Sequence, residues 1–211
     1  EEYQKQRAKN EKSPTEREKW TGFASLKKAS TEYKRSIGAI FKNKTHTTRD
    51  LFLYTKFIII RFYSSIAFRN DLATLQLSSS KTNNVLQAKK GGLYEITMRK
   101  FKASDKIGDI TVEVDRNLSK VLKAYLKYRG QVDAVKHDYL LSNSKGEPLS
   151  KRMVGNILRE LTLRFLGKKF ATRQIRIMKA TQDSPIVASA LKVSSQQLHG
   201  IKQHQEYNRK T

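Results

Sequence analysis

The chain has 211 residues, enough for one domain with a buried core, and carries 43 Lys and Arg against 19 Asp and Glu, a formal net charge of +24. Such an excess repels itself in a compact chain unless a polyanion neutralises it, which points to nucleic acid, with an anionic membrane surface as the rival partner. The absence of cysteine excludes disulfides, thiolate metal sites and cysteine nucleophiles, and the longest apolar run, Phe57 to Ile60, is cut by Arg61 far short of a membrane span.

Residues 1–13 are nearly all polar or charged and read as a frayed segment or linker remnant. No signal peptide is visible, and the start at Glu1-Glu2-Tyr3 suggests a piece cut from a longer chain. Lack of cysteine fits a reducing compartment. Thr15 with Glu18 three residues on forms a capping box, which predicts a helix from there to about Arg35 with Trp20, Phe23, Leu26 and Tyr33 on its apolar side. Residues 38–48 read as a basic loop in which Thr47 or Thr48 caps the next helix. That helix, over 50–64, is rich in Leu, Phe and Ile and belongs at the centre of the core.

Arg69 is expected at the start of a further helix containing Leu72, Leu75 and Leu77, where backbone amides could lie near a phosphate. From Val85 the period changes: residues 93–98 and 110–114 alternate as strands of a β-hairpin, with Gly91-Gly92 as its approach and the lysine-rich segment 99–108 as its turn. Helices are predicted over 117–128 and 150–165, separated by a short strand at 139–141 and a turn at 144–148. The last third reads as helical, over 172–182, 184–191 and from 195 onwards. The fold class is α+β, mostly α, with a small β-hairpin or sheet.

The last forty residues, together with Phe68-Arg69-Asn70-Asp71-Leu72 and a hairpin lysine, supply two arginines, a lysine, a histidine and a tyrosine in cationic surroundings. This is a set suited to attack on a phosphodiester. Negative charge builds on the non-bridging oxygens in the transition state, and fixed donors aimed there supply most of the catalysis. An arginine stays protonated and its planar fork holds two oxygens, so two arginines from different elements make a clamp. Adjacent positive charge favours phenolate and so activates a tyrosine as a nucleophile. A histidine can orient the phosphate or shuttle a proton, and a lysine can protonate the departing 5′ oxygen. No metal-ligand spacing and no phosphate-binding glycine loop is present. The chemistry needs no metal, ATP or other cofactor, because guanidinium charge acts as the clamp and the covalent intermediate keeps the bond energy.

The segments 66–72, Arg173-Gln174-Ile175-Arg176, and His199 followed eight residues later by Tyr207 resemble the tyrosine recombinase (phage integrase) family. The flavour is that of integrases carried by large DNA viruses, virophages and Polinton-like elements. The resemblance implies a clamp of Arg69, Arg176 and His199, with Tyr207 as nucleophile and Lys102, or alternatively Lys100, as the general acid. Arg173 takes the first place of the family's His-x-x-Arg. It cannot serve as a base and would contact phosphate or the DNA backbone, as in the related type IB topoisomerases.

The same resemblance implies that 46–211 form the catalytic domain, with 1–45 as a basic helix and linker leading into it. It further implies double-stranded DNA as partner, a homotetramer on that DNA, no membrane, and an intracellular location in a nucleus or at a site of viral replication. Two rival readings are a type IB topoisomerase and a basic DNA-binding domain without catalysis.

Overall fold

The computed structural model describes residues 21–43 and 45–183. Its centre is a helix, α2 (Thr48–Tyr63), preceded by α1 (Ser25–Ser36) and a 3-10 turn at Gly38–Lys42. Thr47 caps α2 by accepting a hydrogen bond from Asp50 N at 3.1 Å. Nine residues of α2 are buried, so it packs on several sides at once: α1, α4 (Arg116–Arg129) and α5 (Lys151–Leu166) all lie against it. Lys56 of α2 also pairs with Glu160 of α5 at 2.8 Å.

The first described helix begins at Ser25, so the helix predicted from Thr15 to about Arg35 is not one continuous run. Gly22 adopts φ 76° and residues 23–24 form a turn, so α1 does not extend back through Gly22. The capping box and Trp20 lie outside the described residues. Phe23, Leu26, Ala29, Tyr33, Ile37 and Ile40 enter the same core as α2 and α5. Residues 23–40 are thus part of that core.

After α2 the chain turns through Ile66, Ala67 and Phe68, all buried, and enters a five-residue 3-10 helix, Asn70–Thr74. Sequence predicts a longer helix here. The chain instead extends at Leu75, because residues 75–77 are stitched between two other segments: Leu77 N donates to Asp138 O, Leu140 N to Leu75 O, and Gln76 N to Asn84 O. The strand expected at 139–141 is therefore a single bridge, Tyr139 with Gln76.

Three antiparallel strands follow: β1 (Val85–Ala88), β2 (Tyr94–Met98) and β3 (Ile110–Val114), in the order β1-β2-β3. The predicted hairpin is present in full, and β1 is added to it through a turn in which Gly91 and Gly92 both take positive φ. Between β2 and β3 the lysine-rich segment includes one helical turn, α3 (Ser104–Ile107). Asp115 caps α4 by accepting from Asn117 N and Leu118 N, each at 2.9 Å.

The turn before α5 needs glycine at 146, where φ is 82° and a Cβ would stand 2.9 Å from the Ala134 carbonyl. Ser150 then caps α5, and Gly167 closes it in the left-handed conformation. Phe170 is fully buried and its amide donates to Thr162 Oγ1 at 2.9 Å, which fixes the start of the last described helix, α6 (Thr172–Asp183). Among the described residues no helix is long and apolar enough to cross a membrane.

Candidate active site

Four separate stretches of chain converge on one cleft of about 570 Å³, lined by Arg69, Asn70, Asp71, Lys100, Phe101, Lys102, Ser104, Lys151, Thr172 and Arg176. Five of these side chains are cations and one is a carboxylate. The cleft is thus an open, positively charged cavity of a size to admit a phosphodiester.

Arg69 is set by the core beneath it. Phe68 packs against Phe62 with ring centroids 5.5 Å apart, and the Tyr63 hydroxyl donates to the Arg69 carbonyl at 2.5 Å. The Arg69 Nε is buried without a hydrogen-bond partner among the described residues, so the guanidinium keeps donor capacity. Burial holds the Tyr63 phenol well above its ordinary range; Asp71 pushes it the same way and Arg176 opposes. Tyr63 is therefore a fixed donor and not an attacking phenolate. Burial likewise raises Tyr54 and Tyr125 to about 12.

Arg176 comes from α6, where Ile175 and Met178 enter the main core and Ile177 packs separately with Ala180. Only 4% of Arg176 is exposed, yet it lines the cleft. Arg173, one helical turn earlier, is exposed and does not line the cleft.

Both candidate lysines line it. Lys100 Nζ donates to Asn83 Oδ1 at 2.8 Å, whereas Lys102 Nζ makes no hydrogen bond or ion pair among the described residues. Between them Phe101 is buried, and its carbonyl accepts from Ser104 N and Ser104 Oγ, which pins the turn. His199 and Tyr207 lie outside the described residues.

No protein-family model matches the sequence, and no curated protein does either. Solved structures do match. XerA recombinase superposes with a TM-score of 0.58 at 19% identity, over 86% of this chain and 57% of that one. XerH site-specific recombinase bound to difH substrate gives 0.57 at 18% identity in its pre-cleavage complex, over 84% of this chain and 48% of that one. Its post-cleavage complex with palindromic difH gives 0.57 at 17%, over 84% and 47%. The fold is shared with recombinases.

The chain thus spans about half the length of these recombinase chains. Within the recombinase fold the cleft holds a residue that sequence reading missed. Lys151, in the first turn of α5, adds a cation and pairs with Asp71 at 2.7 Å, and Asp71 itself is buried. The sequence signal was only a lysine after a capping serine. Its partner lies 80 residues away, so no local pattern marks it.

Proposed function

We propose that the protein is a site-specific DNA recombinase, or integrase, that cleaves and rejoins DNA through a 3′-phosphotyrosyl intermediate. The observation that carries this reading is the meeting of Arg69, Lys102 and Arg176 at one cleft, from three elements distant in sequence. The recombinase-like fold supports it. Arg69 and Arg176, with His199, hold the scissile phosphate. The Tyr207 oxygen bonds to phosphorus and the bond to the 5′ oxygen breaks. Lys102 gives its proton to that oxygen, leaving a free 5′ hydroxyl and a neutral amine, while the phenol's proton passes to His199 or solvent. Residues 46–211 carry the catalytic groups, and four protomers synapse two duplexes for strand exchange, as an integrase requires.

Relaxation of supercoils is a second reading, favoured by Arg173 in place of the histidine of His-x-x-Arg. Two assays separate the two: recombination between paired sites, and relaxation of a plasmid. Efficient relaxation with no site requirement overturns the recombinase. Nicked duplexes that trap the covalent adduct test the chemistry itself. The adduct is expected with the wild type and absent in Tyr207→Phe; equal trapping in that variant removes Tyr207 from the role.

A further inference from the structure

The turn that carries Lys100 and Lys102 is not held by its own ladder. β1 and β2 pair up to Val85 with Thr97, and continuing that register would set Asn84 opposite Met98. There the backbone pairing stops and the Asn84 side chain takes over. Asn84 Oδ1 accepts from Arg99 N and from Lys100 N, each at 2.7 Å. Its Nδ2 donates to Lys100 O at 2.8 Å and to Thr74 Oγ1 at 2.7 Å.

A side-chain amide offers two donors and two lone pairs, and all four are used here. Asn84 is only 2% exposed, so each of these bonds forms out of water, where losing one leaves an unsatisfied group. Thr74 Oγ1 in turn donates to the Asp71 carbonyl at 2.6 Å, and Gln76 N holds the Asn84 carbonyl at 2.9 Å. One buried amide therefore ties the lysine turn to the short helix that follows Arg69. It links two sides of the cleft directly.

We propose that Asn84 is a positioning residue that sets the lysine-bearing turn at the reaction centre, so that the ammonium meets the 5′ oxygen as it departs. This rests on the proposed cleavage chemistry. Asn84 touches no reacting atom; it acts through the backbone of Arg99 and Lys100, with Phe101 as the second anchor. Its loss should therefore impair proton donation and leave the arginine clamp in place.

The test uses the full chain and a pool of nicked duplex oligonucleotides of randomised sequence, in which the strand trapped on the wild type reveals the scissile phosphate. That sequence is then made twice, with oxygen or with sulfur at the 5′ bridging position. A thiolate departs without needing a proton, so a defect confined to proton donation disappears on sulfur. Asn84→Ala is expected to slow adduct formation about 10²-fold on oxygen and to stay within about threefold of wild type on sulfur.

Thr74→Val removes one of the four contacts, together with the bond from Thr74 Oγ1 to the Asp71 carbonyl, and is expected to give the same pattern at smaller amplitude. It carries the test should Asn84→Ala not fold. Equal slowing on both substrates, or none on oxygen, overturns the role of Asn84 and leaves the cleavage reading standing. Failure of the wild type to trap any strand overturns both.

Discussion

Arg69 owes its place in the cleft to a phenol beneath it. Tyr63 holds the Arg69 carbonyl, and Tyr63→Phe would leave that carbonyl without its donor at a cost of about 1–3 kcal/mol. The expected outcome is a lower urea midpoint together with slower adduct formation, since the backbone that aims the guanidinium is loosened; an unchanged midpoint would show that the contact contributes little. Arg69, Arg176 and the two lysines were legible in the sequence because the order of motifs marks them. Asn84 and Lys151 were not, because each finds its partners only after folding: Asn84 with Thr74 and Lys100, Lys151 with Asp71. Tertiary hydrogen bonds of that kind leave no periodic trace in a chain.

Elements with a strong local signal were foreseen, and those decided by neighbours were not. The apolar helix α2, its cap at Thr47 and the helix α5 follow from residue type and spacing. The short helix after Arg69 and the bridge at Tyr139 depend on residues 75–77 being captured between β1 and the segment before α5, and no propensity reports that.

The latter segment also has a pH dependence. Burial lowers the His137 pKa from 6.5, and the Arg129 guanidinium, 3.3 Å from His137 Nδ1, acts in the same direction. The unfolded chain therefore takes up the proton more readily than the folded one as pH falls below 6.5. Stability is full above that point and is lost in acid. Thermal midpoints measured from about pH 7 down to about pH 5 should fall, and His137→Gln should flatten the part of the slope that this group contributes. An unaltered slope would contradict the shift.

For the whole molecule, a net charge of +24 and a cleft with five cationic side chains fit a polyanionic partner, and α1, α2, α4 and α5 pack together as the core beneath that cleft. On the proposed chemistry the overall charge concerns binding, while the fork geometry of two arginines concerns the transition state, and the two effects are separable. Arg176→Lys keeps the charge but loses the planar fork. The most direct test compares that variant with the wild type on a nicked duplex at one salt concentration, following both DNA binding and the rate of covalent adduct formation. Binding within a few-fold of wild type with adduct formation slowed about 10²- to 10³-fold is expected if the cleft stabilises the reacting phosphate. Adduct formation at the wild-type rate would contradict it.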